Sequence, residues 1–191
     1  MSAPTRSGNG VILLDGAQYE NATAWLYQTF PSHQPWPLLL STPYEPIADA
    51  GPILLEAHVG SPTYEAWKHG GDIKESVWLE SDASVEELHR TLQRRLRIFT
   101  PDRRELWLRF ADARPLYQAW QSKAQWPEGF WHGIARIWLR YESTTFCAWH
   151  NENPEKDGAP ANLGIAAQLT LGWPLLGALS KQDDTAQEAA L

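Results

Sequence analysis

The spacing of hydrophobic positions changes period several times along this chain. After a polar arm over residues 1–10, Val11-Ile12-Leu13-Leu14 is an unbroken apolar run, the pattern of a strand covered on both faces, and it stops at Asp15-Gly16. Ala22, Trp25, Leu26 and Thr29 then recur at helical spacing until Pro31, Pro35 and Pro37 end the helix. Leu38-Leu39-Leu40 and Ile53-Leu54-Leu55 read as two strands separated by a turn bearing Pro and Gly. Ser61-Pro62 places a capping hydroxyl before a proline at the first helical position, Gly70-Gly71 is a stop, and Trp67 between them is expected to face inward. Val77-Trp78-Leu79 reads as a strand, and Ser84-Val85-Glu86-Glu87 as a capping box that opens a helix with Val85, Leu88, Leu92 and Leu96 on one stripe. Ile98-Phe99, a turn at Thr100-Pro101-Asp102-Arg103, and Leu106 to Phe110 predict a hairpin with Leu106, Leu108 and Phe110 on one side.

Beyond Pro115 the spacing predicts helices, first with Leu116, Ala119 and Trp120 on one face, later with Phe130, Ile134, Ile137, Trp138 and Tyr141. Residues 151–162 read as a polar linker, Leu163 to Leu179 as a broken helix pair kinked at Gly172-Trp173-Pro174, and the last dozen residues as a frayed acidic tail. The expectation is an α+β fold, a mixed sheet flanked by helices with a C-terminal helical lobe. It divides into an arm over 1–10, a sheet lobe over 11–114, a helical lobe over 115–150, and a linker with a helical tail over 151–191.

Composition sharpens this picture in three places. With 43% hydrophobic residues in 191, the chain buries a sizeable core and is not disordered by composition. A formal charge of −7 speaks against nucleic acid as a partner, although eight of the sixteen basic residues, all Arg, fall in 85–114 beside five acids. That excess reads as a solvated helix face or as a docking surface for an acidic partner. Eleven tryptophans exceed what such a core requires, and each either fills the core or marks an interface. The single cysteine, Cys147, forbids an internal disulfide and points to a reducing compartment; the longest uncharged stretch is broken by Gly and Pro, so no membrane span is expected.

The chemistry of a reactive site is hard to assemble from this sequence. No Gly-x-Ser-x-Gly string occurs, Cys147 within Phe146-Cys147-Ala148-Trp149 looks like an inert buried thiol, and Glu86-x-x-His89 occurs once where a di-iron bundle needs two copies. His132, His150 and Glu152 lack zinc-ligand spacing, so no metal and no cofactor is expected. Asp15 and Asp112 both follow strands, where catalytic acids of α/β enzymes stand, and they carry the alternative reading of a small metal-dependent hydrolase or nuclease. Against it, an Asp beside Gly accepts backbone hydrogen bonds in a turn, and an Asp between Arg109 and Arg114 pairs with them.

The order of Leu13-Leu14-Asp15-Gly16-Ala17, Gly51-Pro52-Ile53-Leu54-Leu55, Val77-Trp78-Leu79-Glu80-Ser81, the Glu86 to Leu96 helix and Leu108-Arg109-Phe110-Ala111-Asp112-Ala113-Arg114 resembles the Tap/TEC family. These are the adaptors, or effector chaperones, of type VI secretion in Gram-negative bacteria, encoded beside VgrG spike genes. The resemblance spans about residues 11–142, and Phe130-Trp131-His132-Gly133-Ile134 is similar to a later aromatic-glycine segment of the family. Where the family pattern has Arg-Phe-Tyr-Asp-Pro-Arg, this chain carries Ala111 and Ala113, so any role of that tyrosine is absent. The resemblance implies a non-catalytic cytoplasmic protein that holds a secreted effector and helps load it on VgrG. Asp15, Gly16, Gly51, Pro52, Arg109, Asp112 and Arg114 are then expected to be architectural, and Trp120, Trp126, Trp131 and Trp138 to be candidates for gripping the effector.

Overall fold

The computed structural model describes residues 8–181, so residues 1–7 of the expected arm and the acidic tail from 182 onward lie outside the described residues. The fold is α+β. A six-stranded antiparallel sheet has the order β2-β3-β1-β4-β7-β8, from Trp36–Pro37 (β2), Pro52–Glu56 (β3), Gly10–Asp15 (β1), Val77–Glu80 (β4), Arg136–Tyr141 (β7) and Thr144–His150 (β8). A separate two-stranded ribbon pairs Arg97–Phe99 (β5) with Glu105–Trp107 (β6), and the α-helices are Ala22–Thr29 (α1), Pro62–His69 (α2), Val85–Gln93 (α3), Ala113–Gln121 (α4) and Trp173–Leu179 (α5).

The unbroken apolar run of β1 has a simple cause. Ile12 and Leu14 face α1 and α2 and pack with Leu26, Phe30, Trp67 and Trp78, whereas Val11 and Leu13 face the opposite core with Leu88, Leu92, Leu116, Phe130 and Leu175. A strand with a core on both faces has no polar positions to alternate. Ser61 caps α2 through Tyr64 N–H, with Pro62 in the first turn, and Gly70 ends the helix at φ 76°. Ser84 and Glu87 form the reciprocal capping box at the start of α3.

Three expected elements differ. The helix expected from Phe130 to Tyr141 is a turn followed by β7, which pairs with β8 and extends the main sheet beyond β4. Leu38-Leu39-Leu40 is a turn after the very short β2, with Leu38 and Leu39 buried. Between Leu163 and Leu179 only Trp173–Leu179 is helical; before it, Leu169 and Leu171 are buried and Thr170 bridges in parallel to Phe99. The larger core therefore includes residues from Val11 to Ala178, and the expected 115–150 lobe contributes its strands to the same sheet as β1.

Candidate functional site: a carboxylate-arginine knot beside an aromatic groove

The C-terminal end of β1 and the first turn of α4 bring Asp15 and Asp112 together. Asp15 accepts Ala17 N–H at 3.1 Å and starts a 3₁₀ turn over Gly16–Gln18; Asp112 accepts Arg114 N–H at 3.0 Å and caps α4. One guanidinium joins them, because Nη2 of Arg109 donates to Asp15 Oδ2 at 3.0 Å and to Asp112 Oδ2 at 3.4 Å. Arg114 grips Asp112 with a fork, Nε to Oδ1 at 3.0 Å and Nη2 to Oδ2 at 2.7 Å. The Asp112 side chain is only 3% exposed, while both arginines reach solvent.

Gly16 and Gly51 fit against each other for a backbone reason. Gly16 N–H donates to Gly51 carbonyl at 2.9 Å, and a Cβ on Gly16 would lie 2.2 Å from the Asp49 carbonyl oxygen. Asp49 in turn accepts Thr23 N–H at 2.7 Å at the start of α1; burial works against its ionised form, but hydrogen bonds from Thr23 and Ala22 outweigh this and hold its carboxyl below the ordinary value. Pro52 begins β3 opposite Asp15, so this corner ties β1, β3, α1 and α4 together.

A second charged hub has no counterpart in the sequence reading. Arg95 has a side chain that is 0% exposed; it donates to the carbonyls of Thr91 and Gly129 at 2.8 Å each, to the carbonyl of Phe130, and to Asp157 Oδ1 at 2.6 Å. Arg94 reaches the other Asp157 oxygen at 3.2 Å. Burial would raise the Asp157 carboxyl, but the hydrogen bonds from Arg95 and Ala159 N–H, with the charges of Arg95 and His132, hold it below the ordinary value. Residues 151–162, expected as a linker, are therefore fastened to α3 at Asp157. One sequence signal pointed there: Arg95 sits three residues after Leu92 and seven after Leu88, so the spacing of the buried stripe runs on to it, although α3 ends at Gln93 and Arg95 lies in the turn that follows.

The four candidate tryptophans do not form one surface. Trp131 is 5% exposed and packs against Phe110, Phe130 and Trp126. Trp126 is half-buried in the same cluster, and Trp138 packs on Trp78 and donates from Nε1 to Glu80 at 3.1 Å. Trp120 is exposed beside Phe146 and Tyr117. The tryptophans that reach solvent most, Trp107 at 48% and Trp173 at 51%, are not among those four. With Leu106, Leu176 and Leu179 they line a mainly apolar groove of about 460 Å³ between β6 and α5, and Arg109 of the carboxylate knot stands on its wall. Tyr44 extends this surface, meeting the Trp107 ring edge-on at 4.9 Å.

The other reactive candidates are placed apart. Cys147 lies exposed on β8 rather than buried, and the packing around its sulfur pushes the thiol up from its ordinary value. His89 contacts the Pro37 carbonyl at 2.8 Å, while Glu86 pairs with Arg90 at 2.5 Å. Among the described residues no group of three or more His, Cys, Asp or Glu is placed to hold a metal ion, and no helix is long and apolar enough to cross a membrane.

A family model described as a domain of unknown function, DUF4123, matches residues 12–128, well over half of the chain. The chain belongs to the DUF4123 family. This domain family is known in type VI secretion effector chaperones of the Tap kind. No curated protein and no solved structure matched the chain. The DUF4123 match covers the knot in full, from Asp15 to Arg114, and one wall of the groove, Leu106 to Arg109. It stops at Glu128, before Trp173 and Asp157.

Proposed function

We propose that this DUF4123 protein is a non-catalytic cytoplasmic adaptor that binds a type VI secretion effector and helps load it on the VgrG spike. The observation that supports this reading best is the apolar groove beside the family's carboxylate-arginine signature. Two half-exposed indoles and exposed Leu106 there leave apolar area in water on a molecule that covers most of its other large rings at least in part. Aromatic anchors in such a groove are the residue types on which protein interfaces concentrate their binding energy.

The competing reading is a small metal-dependent hydrolase or nuclease, and one feature favours it: Asp15 and Asp112 converge on a single nitrogen of Arg109. A divalent cation bound by both would have to displace Arg109 and compete with the Arg114 fork, which weighs towards a structural role for the acids. Trp107→Ala and Trp173→Ala separate the two. Co-expressed with the product of the neighbouring effector gene, each variant is expected to bind it about 10- to 100-fold more weakly while keeping the wild-type melting temperature. Unchanged binding by both folded variants would reject the groove. Metal-dependent turnover by the purified chain, lost in Asp15→Asn, would reject the adaptor.

A further inference from the structure

A second concavity, of about 290 Å³, includes Arg114 of the knot in its lining. It is lined by Gln18, Lys74, Glu75, Arg114 and Arg140, with Ile73 at its base. Three cations against one acid make it electropositive on a chain of net charge −7. Of the three, Arg114 is engaged with Asp112. Among the described residues Arg140 and Lys74 make no ion pair: Lys74 Nζ donates to the Gln18 carbonyl at 2.5 Å and stands 5.2 Å from the Tyr19 ring centre. Glu75 is turned to the backbone instead, accepting Glu142 N–H at 2.9 Å.

Arg140 is the informative residue. Its Nε is buried and has no hydrogen-bond partner, although buried nitrogens in folded proteins are nearly always satisfied. Its guanidinium is also held in place, because it packs where a side chain on Gly70 would go: a Cβ there would lie 2.1 Å from Nη2 of Arg140. Gly70 has φ 76°, a conformation glycine adopts freely, so the seat for the guanidinium and the end of α2 are built by the same residue. A fixed, partly desolvated guanidinium that shares a concavity with an ammonium, neither of them in an ion pair, is the arrangement that captures a planar or tetrahedral oxyanion.

We propose that this pocket binds a single oxyanion, a carboxylate or a phosphate group, between Arg140 and Lys74, with Arg114 on its rim. This does not depend on the adaptor reading. The test uses the full chain at constant ionic strength, with sodium chloride exchanged for sodium phosphate in one arm and sodium acetate in the other. Each titration is followed by thermal unfolding. Binding to the native state is expected to raise the melting temperature saturably at millimolar anion, and Arg140→Gln and Lys74→Gln are each expected to weaken the apparent affinity about tenfold. Phosphate also stabilises proteins generally by exclusion from their surfaces, so the difference between wild type and variants is what counts. Lys74 is exposed, so its variant reports even if Arg140→Gln folds poorly. A response to phosphate alone assigns the site to phosphate groups; a response to both admits a carboxylate. Equal responses in wild type and Lys74→Gln, or no response to either anion, would overturn the site.

Discussion

Replacing Asp157 by alanine is expected to lower the unfolding free energy by about 3–5 kcal/mol, the largest loss for any single side chain described above. The change leaves Arg95 fully buried with its carbonyl contacts but without its carboxylate, and an unpaired charge at that depth is far costlier than a missing surface bridge. It also removes two ties of the 151–162 segment to the end of α3, leaving the Arg94 Nε bond to the Ala159 carbonyl at 2.8 Å. For a chain of this length the loss corresponds to a melting temperature lower by about 10 °C, measurable by circular dichroism. Arg95→Met combined with Asp157→Ala is expected to recover part of it, because no charge is then stranded. A single-variant loss below about 1 kcal/mol would show that water replaces the carboxylate and that the hub is not structural. The acid limb carries the same signature. Since the folded state holds the Asp157 carboxyl below its ordinary value, the pair's contribution is present in full above the unfolded value of about 4 and is lost as pH falls through the lower folded value. The alanine variant should therefore lose less stability than wild type on acidification through that window.

Asp112→Ala is the second large effect, expected at about 2–3 kcal/mol. The residue combines two roles, the cap of α4 and the shared acceptor of Arg109 and Arg114, and its own burial means that water replaces neither well. The effect is smaller than at Asp157 because both arginines reach solvent and can be hydrated once their partner is gone. Thermal unfolding of the variant, followed by an effector-binding measurement on whatever remains folded, separates scaffold from contact. A variant that melts with wild type yet no longer binds would move Asp112 into the interface.

What the sequence made legible follows from which signals are local. The two-faced strand β1, the Ser61-Pro62 start of α2 and the Ser84 box of α3 each sit within a few residues, and each is where the pattern put it. The partnership of Arg109, Asp112 and Arg114 was legible because the three are close in sequence, whereas the arrival of Asp15 depends on a contact spanning 94 positions. The β7-β8 hairpin was hidden by two coincidences. Phe130, Ile134, Ile137, Trp138 and Tyr141 fall at helical intervals, yet Ile137 and Leu139 alternate into the core at strand period. The reversal is made by Glu142 and Ser143 at φ 46° and 65°, with no glycine or asparagine to announce it. Exposure of tryptophans was only partly legible: Trp107 lies between two leucines, and its 48% exposure depends on what packs over the ring rather than on those neighbours.

The recognisable stretch of this protein and its mechanical unit have different borders. Cut at Glu128, the polypeptide would keep β4 but lose the strand bonded along it from Val77 to Glu80, and would keep Arg95 while discarding Asp157. Such a piece would bare a fresh hydrogen-bonding rim and a lone cation at once, a recipe for clumping rather than autonomy. A fragment of this chain meant to stand alone therefore has to carry β7 and the Asp157 turn along as ballast.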